Sequence, residues 1–279
     1  MKTVLETIEG GASYLEKRGI EDARRNMQWL VAHALGCSRM QLYTQFDRPL
    51  GEDVLVPLRE SLRKRGEGVP LQHLLGSVGF LKREFRCDGR ALIPRPETEE
   101  LAEWILTWPL EGPQRILDMG CGSGVLGLSL AAERPTWQLV LGDVSRDALD
   151  LARENAASLG IGNATLVESD LFSSIQGPFD GIVANLPYVP DAERATMARE
   201  LSHDPALALF SGKDGLDLIR RFIPAAFAQL RPGGWIALEI GHDQASQVRE
   251  ILHAAGFTDI HVKTDLSGIA RFPCAARPA

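Results

Sequence analysis

The spacing of apolar residues divides the chain into a first part with helical periodicity and a second part in which strands and helices alternate. The first part contains predicted apolar helix faces formed by Val4, Leu5, Ile8, Ala12 and Leu15, by Ala23, Met27, Leu30, Val31 and Leu35, and by Leu50, Val54, Leu55, Leu58 and Leu62. Gly36 is placed to end the second helix. We therefore predict that residues 1–75 form a small helical domain.

The next segment, residues 76–95, has the pattern of a β-hairpin that links two domains. Apolar residues lie on both sides of the turn-forming pair Asp88-Gly89, namely Val78, Phe80, Phe85, Leu92 and Ile93. The prolines of Pro94-Arg95-Pro96 keep the chain extended after this hairpin. A helix is then expected to begin near Thr98.

From Arg115 onward, short apolar runs alternate with amphipathic helices at the spacing of βα units, which predicts a parallel sheet. Predicted strands end at or near Asp118, Asp143, Asp170 and Asn185. Another strand is predicted over 235–240, after a turn at Pro232-Gly233-Gly234, and an antiparallel pair is predicted at 259–262 and 269–272. We therefore assign residues 96–279 to an α/β domain.

Composition places the chain among ordinary globular proteins, since 44% of its residues are hydrophobic and 24% are charged. No apolar run approaches the roughly 20 residues that a membrane span needs, and the N-terminus does not read as a targeting peptide. The 4 cysteines are scattered without a Cys-x-x-Cys pair, and His33 with Cys37 lacks a second ligand pair. We expect a cytoplasmic protein with reduced thiols, no membrane association and no metal.

The net charge of −7 is unevenly distributed along the chain. Residues 1–92 have a balance of +3, whereas residues 93–279 have a balance of −10. A strongly acidic second part argues against broad contact with a phosphate backbone, which requires clustered Lys and Arg. The third helix has a basic cluster that we expect on its solvated outer face, where it could also meet an acidic partner or RNA: Arg59, Arg63, Lys64 and Arg65.

A glycine-rich loop joins the first predicted strand of the α/β domain to its helix, with the sequence Asp118-Met119-Gly120-Cys121-Gly122-Ser123-Gly124. Glycines allow the backbone to approach a ligand closely and tolerate positive φ. Asp143, at the end of the next strand, is placed to accept hydrogen bonds from both hydroxyls of a ribose. The pattern predicts a nucleoside cofactor.

Gly122, Gly124 and Gly127 also match the G-x-G-x-x-G fingerprint of dinucleotide enzymes. A nicotinamide oxidoreductase is therefore an alternative, although nothing downstream supplies an obvious acid for hydride transfer. A binding module with a vestigial cofactor pocket is another alternative, against which the intact Asp143 and Asn185 argue.

The segment Asn185-Leu186-Pro187-Tyr188 follows a buried strand, at the sheet edge where parallel α/β domains bind ligands. An Asn carbonyl oxygen beside a free backbone carbonyl can accept both N–H groups of a planar NH₂. Tyr188 offers a flat aromatic surface for packing on that group. Together with a nucleotide cofactor, this segment predicts group transfer onto nitrogen.

These motifs resemble those of known enzymes. Gly120-x-Gly122-x-Gly124 with Asp143 resembles the S-adenosylmethionine site of class I methyltransferases, and Asn185-x-Pro187-Tyr188 resembles the acceptor motif of those that methylate amide or amino nitrogens. The segments 70–76, 94–99, 204–210 and 212–217 resemble the protein-(glutamine-N5) methyltransferases that act on peptide chain release factors, as does the hairpin around Phe80. The resemblance therefore spans nearly the whole chain.

The resemblance implies a Rossmann-like class I methyltransferase fold with a mostly parallel seven-stranded sheet and an N-terminal helical domain that recognises the substrate. It implies S-adenosylmethionine as cofactor, bound by Asp118, Gly120, Cys121, Gly122, Ser123, Gly124, Asp143, Asp170, Leu171 and Asn185. The acceptor would be held by Asn185, Leu186, Pro187 and Tyr188. It would be the side-chain amide N5 of the glutamine in the Gly-Gly-Gln motif of a release factor, with no direct binding of nucleic acid.

One departure from the family pattern concerns Leu186, where the family usually has proline. Asn-Leu-Pro-Tyr is the form found in rRNA adenine-N6 dimethyltransferases, which resemble this chain only over the cofactor core and have their extra domain at the C-terminus. An adenine-N6 RNA methyltransferase is therefore an alternative. Both forms keep the carbonyl of the second residue, so we expect either one to hold an NH₂ group.

Overall fold

The computed structural model describes residues 2–197 and 199–279, and the described chain forms two compact units. One unit comprises residues 2–77 together with the short segment 199–203, and the other comprises residues 78–197 and 204–279. Across the described residues, no helix is both long enough and apolar enough to cross a membrane.

The first unit is a cluster of helices whose ends are set by local sequence. Its helices are α1 (Val4–Glu16), α2 (Ala23–Leu35), α3 (Arg39–Leu42), α4 (Glu52–Gly66) and α5 (Leu71–Leu75). A capping box begins α1, because Thr3 and Glu6 each accept the backbone N–H of the other. Gly36 ends α2 in the left-handed conformation, as its sequence position indicated. The apolar faces of α1, α2 and α4 share one core.

Most basic side chains of the cluster on α4 form ion pairs within this unit. Arg65 does not lie on the outer face of the helix, where the sequence predicted it. Arg59 pairs with Glu52, and Arg63 pairs with Glu60 and Glu67. Arg65, which we expected at the outer face, is only 4% exposed. It donates to Asn26, to the Val69 carbonyl and to Glu200, because the segment 199–203 folds against this unit.

A β-hairpin is present between the helices and the sheet, but its turn is not where the sequence pattern indicated. Strands β1 (Ser77–Phe80) and β2 (Arg83–Arg86) are joined at Leu81-Lys82, and not at Asp88-Gly89. Both turn residues have positive φ, +42° and +62°, as a type I′ hairpin turn requires. Leu81 is buried and its N–H donates to Glu99 at 2.7 Å, so tertiary contacts override the local preference for Asp-Gly.

The second unit contains a seven-stranded sheet with helices on both faces, which confirms the predicted fold class. Its strands are β3 (Arg115–Met119), β4 (Gln138–Asp143), β5 (Ala164–Glu168), β6 (Phe179–Asn185), β7 (Leu230–Glu239), β8 (Thr258–Thr264) and β9 (Ala270–Ala276). The order across the sheet is β5-β4-β3-β6-β7-β9-β8, with β9 antiparallel to both of its neighbours. The helices are α6 (Pro96–Leu106), α7 (Val125–Glu133), α8 (Arg146–Ser158), α9 (Asp217–Gln229) and α10 (Ala245–Ala254).

Alternate residues of the central strands enter two separate cores, because successive side chains of a strand point to opposite faces. On one face, Ile116 and Val183 pack in the core that contains α6 and α7. On the other face, Leu117 and Ile182 pack in the core that contains α9 and α10. This burial on both faces explains the nearly continuous apolar runs of β3 and β6.

Two element boundaries differ from the sequence-based expectation. Helix α6 begins at Pro96, two residues before Thr98, since proline suits the first turn of a helix. The predicted turn Pro232-Gly233-Gly234 lies inside β7, which runs from Leu230 to Glu239. Backbone hydrogen bonds between Gly233, Gly234 and Arg277 extend the strand through these residues.

Candidate active site

A cavity of about 350 Å³ opens beside the carboxyl ends of β3, β4 and β6. In parallel sheets this edge is where ligands bind, because the loops after neighbouring strands leave a crevice. Most of the site residues expected from the sequence line it: Asp118, Gly120, Cys121, Gly122, Ser123, Asp143, Asp170, Leu171, Asn185, Leu186 and Pro187. Gly124 and Tyr188 do not line the cavity, although each neighbours a residue or loop that does.

The loop after β3 turns sharply because its glycines adopt backbone angles that other residues avoid. Gly120, Gly122 and Gly124 have φ of +72°, +55° and +82°. The Gly120 N–H donates to the Gly142 carbonyl at 2.7 Å and joins the loop to β4. A Cβ at Gly120 would lie only 2.8 Å from Leu186 Cδ2, so glycine is also needed for close contact with the loop after β6.

The Asp143 carboxylate at the end of β4 is held by backbone donors. Its Oδ2 accepts from Gly122 N–H at 2.9 Å, and its Oδ1 accepts from Ser145 N–H at 2.8 Å. Burial raises the pKa of Asp143, and these backbone N–H groups oppose that rise. Each carboxylate oxygen can accept a further hydrogen bond, so this side chain is oriented and still able to bind hydroxyl groups.

Asp118 and Cys121 support the glycine loop from inside the protein. Asp118 is 1% exposed and accepts from Gly127 N–H at 2.8 Å, which fixes the start of α7 against β3. Burial raises the pKa of Asp118 to about 7, and the nearby Asp143 adds to the rise. Burial also raises the pKa of the Cys121 thiol, which favours its neutral form.

Asn185 is the last residue of β6, and its side-chain amide is oriented by residues distant in sequence. Asn185 Nδ2 donates to Thr98 Oγ1 at 3.0 Å, and Thr98 Oγ1 donates to Glu239 Oε2 at 2.7 Å. Tyr188 reaches the same carboxylate, because its hydroxyl donates to Glu239 Oε1 at 3.2 Å. Burial raises the pKa of Glu239 to about 7 and raises the pKa of Tyr188 as well.

Two carbonyl oxygens next to the cavity do not take part in these hydrogen bonds. Across residues 2–197 and 199–279, neither Asn185 Oδ1 nor the Leu186 carbonyl oxygen accepts a hydrogen bond from the protein. Asn185 and Leu186 both line the cavity. The arrangement therefore offers two acceptors to a group that carries two N–H donors.

The backbone after Asn185 is fixed by a second chain segment. Val189 N–H donates to the Leu209 carbonyl at 2.9 Å, and Ser211 N–H donates to the Val189 carbonyl at 3.0 Å. Gln244 Nε2 donates to the Tyr188 carbonyl at 2.9 Å and to the Asp214 carbonyl at 3.1 Å. These hydrogen bonds give the segments around 204–210 and 212–217 a structural role, which is to position the loop that contains Asn185.

Gly215 completes this packing. Its φ is +77°, and a Cβ there would lie 2.0 Å from the Tyr188 carbonyl oxygen. A larger residue at this position would have to displace the backbone of the loop. The loop after β6 therefore packs closely against Gly215 and is also held by a hydrogen bond from Gln244.

The arginines at the cavity are each paired with carboxylates, so they do not make it a general anion site. The pairs are Arg90 with Asp88 and Glu154, Arg95 with Asp204, and Arg221 with Asp170. In the described part of the chain, no three His, Cys, Asp or Glu side chains come together as a metal site would require. The lining is mostly apolar, and its charged side chains are Arg90, Arg95 and Arg221 together with Asp118, Asp143 and Asp170.

Sequence reasoning did not assign a site role to Thr98, Glu239 or Gln244. Glu239 left a signal, because it is a lone charged residue at the end of the otherwise apolar stretch 235–240. The sequence pattern marks Thr98 only as a helix start, and it gives no signal of a site role at Gln244. Their contacts with Asn185 and Tyr188 depend on the order of strands in the sheet.

The fold is that of a class I methyltransferase, and comparison with known proteins agrees. Residues 6–76 match the family model "PrmC N-terminal domain", and residues 104–212 match "Methyltransferase small domain". A solved methyltransferase from Pyrococcus furiosus has the same fold, with a TM-score of 0.52 and 17% identity over 70% of this chain and 89% of that one.

Two curated relatives are similar over almost their whole length. The release factor glutamine methyltransferase of Deinococcus radiodurans is 39% identical over 268 residues, covering 94% of each chain. That of Geobacter sulfurreducens is 36% identical over 271 residues, covering 96% of this chain and 95% of its own. The chain belongs to the release factor glutamine methyltransferase family, as its motifs indicated.

Proposed function

We propose that this protein transfers the methyl group of S-adenosylmethionine to the side-chain amide N5 of the glutamine in the Gly-Gly-Gln motif of peptide chain release factors. Its membership of the family supports the reaction. The observation that carries the chemistry is a pair of acceptors at the cavity that take no hydrogen bond from the described residues, Asn185 Oδ1 and the Leu186 carbonyl. A primary amide has two N–H donors and matches this pair.

The cavity fits the proposed cofactor in size and in donor chemistry. Its volume of about 350 Å³ lies in the range of small-molecule sites. Asp143 would accept hydrogen bonds from the ribose hydroxyls, and the open glycine loop would lie against the rest of the molecule. Asp143 is a cavity carboxylate that forms no ion pair with the described residues, and its negative charge favours a cationic ligand. When bound, S-adenosylmethionine supplies a methyl group on a positively charged sulfur.

The acceptor side of the site would act by orientation and by electrostatics. An amide nitrogen is a poor nucleophile because its lone pair is shared with the carbonyl. Asn185 Oδ1 and the Leu186 carbonyl would fix both N–H groups so that the nitrogen lone pair faces the methyl group in line. The same oxygens would stabilise the positive charge that grows on nitrogen. The amide nitrogen would form its bond to the methyl group as the bond from methyl to sulfur breaks with its electron pair left on sulfur, and one amide proton would leave to water.

The remaining assignments follow from the same proposal. Residues 1–75 would recognise the body of the release factor, residues 76–95 would link, and residues 96–279 would catalyse. Leu171 would line the cofactor site, with Gly124 shaping the loop behind it. Tyr188, which does not line the cavity here, would reach the acceptor amide only with a change of side-chain position. We expect the enzyme to act in the cytoplasm, because its substrate acts in translation.

One observation favours a second candidate, an adenine-N6 RNA methyltransferase. Leu186 occupies the position at which release-factor enzymes usually have proline, and an exocyclic adenine amine is also a planar NH₂. Residues 93–279 have a charge balance of −10, however, which would repel an RNA backbone. The arginines of α4 named above are paired with carboxylates, which leaves them a poor footprint for phosphates.

A competition assay tests the proposal directly. The enzyme receives a release factor and small-subunit rRNA in the same tube, with S-adenosylmethionine labelled in the methyl group. We expect label on the glutamine of the Gly-Gly-Gln loop, located by mass spectrometry of the peptides. Label in the RNA with none in the protein contradicts the proposal and favours the second candidate.

A further inference from the structure

A continuous chain of hydrogen bonds starts at the Asn185 amide and ends at a buried carboxylate. Asn185 Nδ2 donates to Thr98 Oγ1, and Thr98 Oγ1 donates to Glu239 Oε2. The three residues come from different elements, namely the end of β6, the first turn of α6 and the end of β7. Asn185 and Glu239 are register partners in adjacent parallel strands, so the sheet itself brings them together.

The carboxylate at the end of this chain is an expensive group to bury. Glu239 is 1% exposed and Thr98 is 4% exposed. The nearby cation Arg271 forms its salt bridge with Asp265 at 2.8 Å, and within the described residues Glu239 has no ion pair within 4.0 Å. An unpaired buried carboxylate costs free energy that an apolar residue would not. Its presence is better explained by a function than by stability.

The Thr98 hydroxyl has a single hydrogen, and the Glu239 carboxylate determines which way that hydrogen points. A threonine hydroxyl has one hydrogen, and an ionised carboxylate can only accept. When Glu239 is ionised, the Thr98 hydrogen points to it and only lone pairs face Asn185. The Asn185 amide must then turn its NH₂ towards Thr98, which leaves Oδ1 for the cavity.

We propose that Thr98 and Glu239 are positioning residues that lock the side-chain amide of Asn185 with Oδ1 towards the acceptor nitrogen. The opposite orientation would present an NH₂ to the NH₂ of the substrate, and two donors repel each other. Because Tyr188 donates to the same carboxylate, Glu239 also joins the two ends of the segment 185–188. This inference rests on the proposed methyl transfer to a planar NH₂ group.

Protonation of Glu239 would weaken the lock. A neutral carboxyl can place its hydrogen towards Thr98, whose own hydrogen then turns to Asn185 and favours the wrong amide orientation. Burial raises the pKa of Glu239 to about 7, and the nearby Glu97 of α6 adds to this rise. Hydrogen bonds from Thr98 and Tyr188 and the positive charge of Arg271 in β9 lower the pKa of Glu239 and so oppose the rise. From β6 the facing residue is the uncharged Asn185. We therefore expect kcat to increase with pH through about 7, as Glu239 ionises.

Substitutions at Thr98 test the hydroxyl. Thr98→Val has nearly the same shape but no hydroxyl, and we expect kcat for the release factor to fall about tenfold or more, since misplacement of a catalytic group costs rate steeply. Thr98→Ser retains the hydroxyl and should stay within threefold of the wild type. Thr107→Val is the matched control, because Thr107 is an exposed residue at the other end of α6. Cofactor affinity, measured by calorimetry, should change less than threefold in all of them.

Glu239→Gln tests whether ionisation of Glu239 causes the pH dependence of kcat. It also provides an independent test of the proposal if Thr98→Val does not fold. We expect the fall of kcat below pH 7 to disappear in this variant, and the exposed Glu111→Gln to keep the wild-type profile.

Thermal unfolding tests the same ionisation without measuring catalysis. The folded protein holds a proton on Glu239 between the ordinary value of 4.5 and about 7, so stability falls as pH rises across that window. Glu239→Gln should flatten this slope.

The outcomes separate the inference from the proposed function. If the wild type methylates the release factor while Thr98→Val stays within threefold and Glu239→Gln keeps the acid fall of kcat, the lock does not exist. A Thr98→Val variant that loses stability but keeps kcat per folded molecule also contradicts it, since Thr98 would then be structural only. If the wild type transfers no methyl group to a release factor, it is the proposed function that fails.

Discussion

The cofactor side and the acceptor side of the cavity are built in different ways. On the cofactor side, Gly120, Gly122 and Asp143 lie at the ends of consecutive strands, and the shape comes from backbone angles. On the acceptor side, the segment 185–188 is held by side chains from α6, β7 and the residue before α10. The first is local in sequence, and the second is assembled from distant parts of the chain.

This difference shows which property each side needs. A cofactor with many polar groups can be held by backbone N–H groups and one carboxylate, provided that the chain comes close enough. The acceptor side must orient a single NH₂ group, and orientation requires side chains that are themselves fixed by neighbours. Variants that affect one side and spare the other will show whether the two sides are independent.

The largest effect is expected from Asn185→Ala, which breaks the acceptor side at its centre. By comparison with the loss of one preorganised polar group, kcat should fall by about 10²–10³-fold. Binding of S-adenosylmethionine should weaken much less, because the glycine loop and Asp143 are unchanged. Single-turnover methyl transfer and calorimetry measure the two quantities. Transfer within threefold of the wild type would show that Asn185 does not hold the acceptor.

The next effect is expected from Asp143→Ala, which breaks the cofactor side. Hydrogen bonds to a charged group contribute about 1.5–3 kcal/mol each, so cofactor affinity should decrease at least tenfold. The exposed Asp147→Ala on α8 is the matched control and should bind normally. Unchanged affinity of Asp143→Ala in calorimetry would remove Asp143 from the site.

A smaller effect is expected from Gln244→Ala, which loosens the acceptor side without touching the cavity. The variant loses donors to the Tyr188 and Asp214 carbonyls, and stability should drop by about 1–3 kcal/mol. We expect methyl transfer to slow several-fold while cofactor affinity stays the same. Gln247→Ala, exposed on the same helix α10, should match the wild type. An equal loss of cofactor affinity would mean that the two sides are coupled.

The smallest effect is expected from Leu186→Pro, which restores the residue that this family usually has. The carbonyl at this position is kept, so transfer to the release factor should remain within threefold of the wild type. The Leu186 side chain contacts the glycine loop and is 4% exposed, so a modest loss of stability is expected. A large gain in activity on the release factor would show that Leu186 has shifted the enzyme to another acceptor.

The sequence by itself determined the elements and most of the chemistry near them. Helical and strand periodicity were enough for α1, α2, α4 and the alternating βα units, because these depend on burial of one face or of both faces. The glycine loop and Asp143 were recognisable since they are contiguous with strands that could be predicted. Asn185 and Leu186 were recognisable for the same reason.

Only the tertiary structure decided the contacts that join distant segments. The hairpin turn at Leu81-Lys82 and the burial of Arg65 depend on Glu99 and Glu200, which no local pattern connects to them. Thr98 and Glu239 became neighbours of Asn185 because the first turn of α6 lies beside the ends of β6 and β7, and β7 pairs with β6 in one register. Local propensity acts over a few residues, whereas strand order and register follow from how the whole core packs, and the orientation of the Asn185 amide depends on that packing.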